Sequence, residues 1–376
     1  MKYNFDKVID RSGTSAEKVE GLKHIWGRTD LIPLWVADMD FATAPFVTDA
    51  IRKRCENEVL GYTGKPDSYY NAIINWVKQR YDLIVTKEVI NFVPGIVPGI
   101  GMAMNCFTQK GDKVMIQPPV YHPFAWVATR NERTLVINPL KWENGMYRMD
   151  LDAFREQIKG CKLFILCNPH NPGGVVWTEA ELRAIADICY DEKVLVFSDE
   201  IHADLTLPPH THRPFATVSE KARMNSVTFM SPSKAFNMPG LSASHALIFN
   251  EDLRKRFRIY MDAGELDMGH VFAFLSVEAA YSHGTEWLDQ CLAYIQGNID
   301  FVDEFLKKHA PKIKAIRPEA SYLVWLDCRE LELSQKDLNE FFVDKAHLAL
   351  NDGEMFGKEG IGSVSYTHLT LPTNRE

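Results

Sequence analysis

Two short polar motifs, each directly after a mainly apolar run, carry residue types that can do chemistry. Asp199 follows residues 194–197, and Lys234 closes the motif Ser231-Pro232-Ser233-Lys234 after residues 227–230. Short apolar runs of this kind are typical of strands buried in a sheet. Because open α/β sheets bind ligands at the carboxyl ends of their strands, we expect Asp199 and Lys234 to lie close together.

A lysine amine and a carboxylate placed in this way are what pyridoxal phosphate (PLP) requires. The lysine forms a Schiff base with the aldehyde, and the carboxylate pairs with the pyridinium nitrogen, so the ring can accept electrons from a substrate carbanion. Glu200 could be confused with Asp199, but adjacent strand residues point to opposite sides, so only one should face the cofactor. A single lysine is most often a solvated surface residue, and it is the combination of motifs that favours function here.

Three further segments could complete such a site. Asn171, in the turn-forming stretch 168–174, could donate a hydrogen bond to the phenolate oxygen of PLP. Tyr121 follows another predicted strand and could stack on the ring, which adds about 0.5–1.5 kcal/mol. The small residues of 95–101 precede a helix-like run whose free N–H groups could approach a phosphate. Each signal alone also has a purely structural explanation as a turn, a core residue or a close-packed helix start.

The sequence gives less support to two other kinds of site, a serine-hydrolase site and a metal site. The spacing of Ser231 and Lys234 matches the serine β-lactamase motif S-x-x-K, but the S-D-N and K-T-G partners of that motif do not occur in the sequence. His210 and His212 are the nearest approach to a metal pair. They lie in a Pro-rich region without a third ligand at useful spacing, so we expect a solvated loop and no metal site.

Composition bounds the class of protein. The 376 residues are 46% hydrophobic and 24% charged, as in globular proteins large enough for two domains. The net charge of −8 argues against nucleic acid and anionic membranes as partners. Seven cysteines without a C-x-x-C pair are typical of free thiols in a reducing compartment. With no apolar N-terminal region and no run of membrane-spanning length, we expect a cytoplasmic protein.

Strand-like and helix-like segments alternate between about residues 110 and 250, which predicts an α/β fold with a largely parallel sheet. Thr178 and Glu181 predict a capping box at the start of a helix over 179–190. The predicted strands are 113–117, 162–167, 194–198, 226–230 and 243–249. After residue 250 the pattern indicates a second, α+β unit, with helices over 251–262, 271–309 and 334–346 and strands at 312–316 and 322–327.

Together these segments resemble the fold type I PLP enzymes of the class I/II aminotransferase superfamily, and most closely the MalY/PatB-type cystathionine β-lyases, also called cysteine-S-conjugate β-lyases. The resemblance runs from about residue 30 to 360. It rests on residues 33–41, Gly61-Tyr62, 119–121, 168–174, 198–202 and 231–237. It implies a large PLP-binding domain over 51–285 with a mainly parallel sheet between helices, and a smaller α+β domain made of residues 1–50 and 286–362.

The resemblance implies a role for each matching position. Lys234 would carry the cofactor and later move the substrate α-proton. The other implied cofactor contacts are Asp199 at the ring nitrogen, Asn171 at the phenolate oxygen, Tyr121 on the ring face, His202 where many relatives have a tyrosine, and Ser231, Ser233 and the backbone of Ile96 and Val97 at the phosphate. Tyr62 would reach the phosphate of the neighbouring subunit, which makes a homodimer the expected assembly. Val36 and Ala37 would contact the substrate.

The implied activity is PLP-dependent β-elimination. As a C–S lyase the protein would cleave L-cystathionine, or a related amino-acid thioether, to a thiol, ammonia and pyruvate. A class I/II aminotransferase is the alternative, because it uses the same lysine and aspartate for its first steps. A regulator that keeps the fold is a third possibility, although no added DNA-binding motif supports it.

Two departures from the family's pattern matter. Aminotransferases commonly carry an arginine eight residues after the lysine as a phosphate ligand, and Ser242 stands there. The family's final Arg-x-Asn, whose arginine binds the substrate α-carboxylate, has no counterpart, since the stretch after Gly362 matches nothing expected and Arg375 does not fit the motif. We therefore expect residues 363–376 to be a non-native tail, the small domain to be incomplete at its C-terminal part, and substrate binding to be weak.

Overall fold

The structure, a computed structural model, describes residues 3–367 of the chain. Its helices are α1 (Glu17–Trp26), α2 (Pro45–Cys55), α3 (Asp67–Tyr81), α4 (Ile96–Phe107), α5 (Pro123–Arg130), α6 (Leu151–Gln157), α7 (Glu179–Asp191), α8 (Glu220–Met224), α9 (Glu251–Ala263), α10 (Val271–His283), α11 (Thr285–His309) and α12 (Gln335–Glu340). Its strands are β1 (Ile32–Pro33), β2 (Ile90–Val93), β3 (Lys113–Ile116), β4 (Thr134–Ile137), β5 (Lys141–Glu143), β6 (Met146–Arg148), β7 (Cys161–Cys167), β8 (Leu195–Asp199), β9 (Ser226–Met230), β10 (Ser244–Leu247), β11 (Lys314–Ile316), β12 (Leu323–Asp327), β13 (Leu348–Ala349), β14 (Asn351–Asp352) and β15 (Ser363–Thr367).

The main sheet has seven strands in the order β2-β10-β9-β8-β7-β3-β4. Neighbouring strands from β4 to β9 are parallel, as the alternating pattern predicts, whereas β10 runs antiparallel to both β9 and β2. The reason lies in the connection 231–243, which contains no α-helix, while a parallel crossover usually needs one. As a result the carboxyl ends of β2, β7, β8 and β9 and the start of β10 meet at one edge.

Helices cover both faces of this sheet. Along β7, Leu163 and Ile165 pack in a cluster with α4, α5 and α9, and Phe164 and Leu166 pack in another with α6, α7 and α8. A strand buried on both faces is apolar throughout rather than alternating, which explains the continuous apolar runs of the sequence. Gly99 lets α4 approach closely, because a Cβ there would lie 2.9 Å from Cγ2 of Val93.

The capping box at the start of α7 is confirmed. The Glu181 N–H donates to Thr178 Oγ1 at 3.2 Å, and the Thr178 N–H donates to Glu181 Oε2 at 2.8 Å. These bonds satisfy backbone donors that a helix start otherwise leaves free. The helical stretch expected over 271–309 is two helices, because Gly284 separates α10 from α11.

The second unit contains a four-stranded sheet in the order β11-β12-β15-β14. The chain before residue 45 packs with it: β1 pairs with β13, and Leu34 O accepts a 2.7 Å hydrogen bond from Thr367 N. The first five residues of the expected tail, Ser363–Thr367, form β15 and pair with β12. Residues 368–376 lie outside the described residues, and their non-native origin stays a prediction.

All seven cysteines are described and are free thiols, as expected, and five of them are buried. Cys55 is exposed and Cys106 is partly buried. Across residues 3–367, none of the helices is both long and apolar enough to cross a lipid bilayer.

A buried ion pair fixes residues 35–41, which we call the strap. Lys18 of α1 is fully buried, and its Nζ donates to the Asp40 carboxylate at 3.1 Å and to the Asp38 carbonyl at 3.0 Å. Arg11 binds the Asp38 carboxylate through two hydrogen bonds of 3.0 and 2.7 Å. The N-terminal segment therefore holds the strap through charged groups that are largely removed from water.

We predict that Lys18→Met lowers the free energy of unfolding by about 3 kcal/mol, because Asp40 then lacks its buried cation. Urea unfolding measures the loss. The matched control is Lys336→Met on α12, where the side chain is 83% exposed and pairs with Glu340 at the surface. That change should cost less than about 1 kcal/mol. Equal losses for the two variants would show that the buried pair does not stabilise the strap.

Candidate active site

A cavity of about 200 Å³ that opens to solvent lies at the edge where β2, β7, β8 and β9 end. It is lined by residues from the strap, the start of α4 and the loops after the strands. Most positions singled out in the sequence lie here, namely Ala37, Ile96, Val97, Tyr121, Asn171, Asp199, His202, Ser233 and Lys234. The shared strand edge therefore brings together residues up to 197 positions apart.

Lys234 lies in the loop between β9 and β10, and its amine points to the strap. Its Nζ donates to the Ala37 carbonyl at 2.5 Å. Burial lowers the pKa of Lys234 to about 8, although the nearby carboxylates of Asp38 and Asp199 act against the shift. At mildly alkaline pH a large fraction of this amine is uncharged, so it can act as a nucleophile or a base.

Asp199 ends β8 with only 4% of its surface exposed. Its Oδ1 accepts a 3.1 Å hydrogen bond from Ile201 N, and no cation bonds to the carboxylate among the residues that the structure describes. Burial raises the pKa of Asp199 to about 7, and the Ile201 N–H only partly offsets the effect. A buried carboxylate is unfavourable unless a cation or further donors meet it, so this group is suited to a cationic N–H in the cavity.

Glu200 points away from the cavity, as strand alternation predicts. Its carboxylate accepts 2.8 Å hydrogen bonds from Ser198 Oγ and Phe215 N, and it pairs with His212 Nε2 at 2.8 Å. The expectation of a solvated histidine loop is therefore wrong for His212, which is 3% exposed. The sequence pattern did not predict this pair, because Glu200 lies 12 residues before His212 and belongs to another motif.

Asn171, Tyr121 and His202 complete the cavity wall between the strand ends. Asn171 Oδ1 and His202 Nδ1 are buried and have no hydrogen-bond partner among the described residues. Asn171 O accepts a 3.0 Å bond from Tyr121 N, which ties the two loops together. Burial raises the pKa of Tyr121 to about 12 and lowers that of His202 to about 3, so both side chains are uncharged at neutral pH.

Comparison with known proteins decides the family. The sequence pattern described as "Aminotransferase class I and II" matches residues 29–376. The chain belongs to this family. Cystathionine beta-lyase PatB of Bacillus subtilis (strain 168) is 38% identical over 361 residues, which are 96% of this chain and 93% of PatB.

Two solved structures are similar over almost the whole chain. The PLP-bound C-S lyase from Staphylococcus hominis has a TM-score of 0.90 and 35% identity, covering 99% of this chain and 95% of that one. Cystalysin from Treponema denticola, which contains a PLP cofactor, has a TM-score of 0.94 and 33% identity, covering 98% and 94%. The resemblance on which the sequence-based interpretation rests is thus confirmed.

In this member of the aminotransferase class I and II family, one end of the cavity is suited to a phosphate. The N–H groups of Ile96 and Val97 lie in the first turn of α4, where a helix has no internal acceptors for them. The side chains of Ser233, Ser242 and Ser244 lie on the same wall. Ser242 thus contributes to the cavity at the position where the family commonly has arginine.

The structure does not bring every expected residue to the cavity. The Ser231 hydroxyl is used inside its own loop, where it donates to Ala243 O at 2.7 Å. Val36 precedes Ala37 in the strap but is not part of the wall, and Tyr62 lies outside the cavity with 98% of its surface exposed. The roles proposed for these three residues stay predictions.

Sequence reasoning missed three side chains with a hydrogen-bonding atom at or beside the cavity. Cys167 and Ser244 line it, and both could have been found because they lie at the ends of predicted strands. Tyr322, just before β12, donates its hydroxyl to Ala37 O at 2.9 Å across a sequence separation of 285 residues. No local signal distinguishes Tyr322 from other apolar-strand residues.

The cavity fits the PLP expected from the sequence. The Asp199 carboxylate has no cationic partner among the described residues and could pair with a protonated ring nitrogen, and the Asn171 side-chain amide in the same cavity could bond to a ring substituent. A free amine at Lys234 suits the aldehyde, and the α4 start suits the phosphate. The donors and acceptors that line this cavity are therefore complementary to PLP.

We predict that Asp199→Asn stabilises the cofactor-free protein at alkaline pH. A raised pKa means that the folded wild type loses stability as pH rises from about 4 to about 7, and the amide variant does not. In urea unfolding the two should agree near pH 4 and differ by at most about 4 kcal/mol above pH 7, at 1.36 kcal/mol per pKa unit.

Glu200→Gln is the matched control, since it also replaces a buried carboxylate by an amide. It disturbs the hydrogen bonds to Phe215 and His212, so it should destabilise the fold by about 1–3 kcal/mol at both pH values. A loss of stability at both pH values for Asp199→Asn would contradict the view that this carboxylate lacks a cationic partner.

Proposed function

We propose that this protein is a PLP-dependent C–S β-lyase. It cleaves L-cystathionine or a related cysteine S-conjugate to a thiol, ammonia and pyruvate. We also propose that it works in the cytoplasm, where its free cysteines stay reduced.

One observation carries the proposal. Lys234, whose amine can lose its proton near neutral pH, and Asp199, whose carboxylate has no cationic partner among the described residues, line one cavity. The chain is also 38% identical to a cystathionine β-lyase over 96% of its length. The PLP-bound structure that is called a C-S lyase supports the same chemistry. His202, three residues after Asp199, and the strap match the lyase branch to which the sequence is similar.

The roles follow from the chemistry of each group. PLP, when bound, supplies an aldehyde that captures amines and a ring that stores the electrons of the broken Cα–H bond. Lys234 would hold the cofactor through its amine, and the same amine in its uncharged form would take the proton from Cα of the substrate. Asp199 would bind the ring nitrogen and favour its protonated form, in which the ring accepts electrons.

The other cavity residues bind and orient. Tyr121 would pack on the cofactor ring, the Asn171 amide would donate to its phenolate oxygen, and His202 would border the ring as an uncharged group. Ser233 and the first N–H groups of α4 would bind the phosphate, and Ser242 and Ser244 could add further hydroxyl donors.

The substrate α-carboxylate finds little positive charge in this cavity. Lys234 is the only lysine or arginine on the described wall, and His202 is uncharged at neutral pH. A charge-assisted hydrogen bond to a carboxylate contributes about 1.5–3 kcal/mol, so its absence weakens binding roughly ten- to a hundredfold. This supports the expectation from the sequence that the chain binds its substrate weakly.

We predict that the purified protein with PLP releases pyruvate and free thiol from L-cystathionine in equal amounts and over many turnovers, without an added keto acid. The lactate dehydrogenase assay measures pyruvate, and a thiol reagent measures homocysteine. Substrate must be supplied at high concentration because weak binding is expected. One equivalent of product or less, with conversion of the cofactor to its amine form, would favour the aminotransferase.

Two variants serve as controls in the same assay. Lys234→Ala should release no pyruvate, and borohydride reduction of the wild type should attach the cofactor to Lys234 in a peptide map. Asp199→Ala should lower turnover far more than Glu200→Ala does, because only Asp199 faces the cavity. A label on another lysine, or equal effects of the two carboxylate variants, would contradict the assignment of the site.

We further propose that the active assembly is a homodimer. The loop between α2 and α3 presents Val59, Leu60 and Tyr62 with 72%, 57% and 98% of their surfaces exposed, and Met268 nearby is 55% exposed. Clustered exposed apolar residues on a folded protein are typical of an interaction surface. A second copy that covers this loop would bring Tyr62 to the partner's phosphate, as the family resemblance implies.

A complementation experiment tests this assembly. Heterodimers of Tyr62→Ala and Lys234→Ala, isolated through two different affinity tags, should recover about half of the wild-type activity, because one of two symmetric sites then has both native residues. Heterodimers of Asp199→Ala and Lys234→Ala should recover none, since each site keeps one lesion. Absence of recovery in the first pair, with Tyr62→Ala inactive alone, would place Tyr62 at its own subunit's site.

A further inference from the structure

The Ala37 carbonyl is shared by two side chains from distant parts of the chain. Lys234 Nζ donates to it at 2.5 Å, and the Tyr322 hydroxyl donates to it at 2.9 Å. A carbonyl oxygen has two lone pairs, so both bonds can exist together. Tyr322 belongs to the second unit of the fold, whereas Lys234 belongs to the main sheet's edge.

The strap around Ala37 is held on both sides. On one side, Asn237 donates from Nδ2 to the carbonyls of Met39 and Phe41 at 2.8 and 2.6 Å and accepts from Met39 N at 2.9 Å. On the other side, Trp35 is held by Lys18, whose carbonyl accepts from its indole N–H at 3.0 Å. Besides Lys234, Tyr322 is the side chain that holds the Ala37 carbonyl itself.

We propose that Tyr322 is a positioning residue that acts through the Ala37 carbonyl to hold the Lys234 amine in the place where it rests whenever it is not linked to the cofactor. This inference rests on the proposed function, in which Lys234 is freed from the cofactor in every turnover. The amine must then stay near the reacting carbon rather than turn toward Asp199. A carbonyl that is fixed by a second donor gives the amine a defined acceptor for that interval.

The environment of Tyr322 suits this role. The side chain is 1% exposed, and its ring contacts His202 edge-on with the centroids 6.4 Å apart. Burial raises the pKa of its hydroxyl well above the usual value, so the group remains a neutral donor at every working pH. Tyr322 belongs to the second unit, so a shift of that unit relative to the main sheet would move the Ala37 carbonyl and, with it, the acceptor of the Lys234 amine.

The Lys234 amine also experiences charges and titratable groups on the surrounding elements, and these must be considered in any titration. They are Asp38 in the strap, Asp199 after β8, His202 in the following turn, Tyr121 and Cys167 on the neighbouring loops, and Tyr322 before β12. A change limited to the Tyr322 hydroxyl leaves all the other groups in place.

The test measures the ionisation of Lys234 in the full-length protein after removal of PLP. Trace labelling with acetic anhydride across a pH series, followed by peptide mass spectrometry, gives the midpoint for Lys234, with exposed lysines in the same digest as the reference. Wild type should show a midpoint near 8. Tyr322→Phe should shift it by about one unit, because the hydrogen bond from the ammonium to the Ala37 carbonyl changes when the second donor to that carbonyl is removed.

Tyr69→Phe is the matched control, because Tyr69 is fully buried and its hydroxyl has no hydrogen-bond partner within residues 3–367. It should leave the Lys234 midpoint unchanged. In the PLP-loaded protein, Tyr322→Phe should lower kcat about tenfold and leave KM nearly constant, since positioning of the amine acts after substrate binding.

An unchanged Lys234 midpoint in Tyr322→Phe would overturn the proposal. If the variant also lost thermal stability, the role of Tyr322 would be limited to packing in the core. The labelling measures the amine itself and does not depend on turnover. If the midpoint shifts but no pyruvate forms from L-cystathionine with the wild type, the lyase function fails while the role of Tyr322 stands.

Discussion

The Lys234 amine and the Asp199 carboxylate line one cavity, and the structure keeps them from neutralising each other. Within the described residues the amine bonds to the Ala37 carbonyl, and the carboxylate bonds to Ile201 N–H instead. An ion pair between the two would hold the amine protonated and would occupy the carboxylate that the ring nitrogen of the cofactor requires. Their separation leaves the amine available as a base and the carboxylate available to a cation, and the surrounding structure serves to maintain it.

This separation lowers the stability of the cofactor-free fold. The raised pKa of Asp199 costs stability as pH rises toward 7, and the lowered pKa of Lys234 costs stability as pH falls below its ordinary value of 10.5 toward 8. Near neutral pH both costs are present together. Lys18 bonds to the Asp40 carboxylate and to the Asp38 carbonyl and so fixes the strap, which carries the Ala37 carbonyl that the Lys234 amine contacts.

The sequence reveals those parts of the site that depend on local rules. Asp199 and Lys234 each follow an apolar strand, and the geometry of parallel strands then places them at one edge. The direction of β10 and the partners of Lys18, His212 and Tyr322 could not be predicted in this way. Each depends on a contact between distant segments, and no periodic pattern in the sequence predicts such a contact. From sequence alone, a buried polar residue cannot be told from an exposed one until its partner is known.

A phosphate at the α4 end of the cavity would be only partly neutralised by the described residues. A phosphate carries about −1.5 to −2 charges at neutral pH, whereas the start of a helix supplies only about half a positive charge. Among the described residues this cavity is lined by Ser233, Ser242 and Ser244 and by no arginine, so neutral hydrogen bonds would have to bind the phosphate there. A tyrosine hydroxyl from a second subunit would add a donor at that end. Binding of PLP and association of two chains would then favour each other, because each completes a site that the other needs.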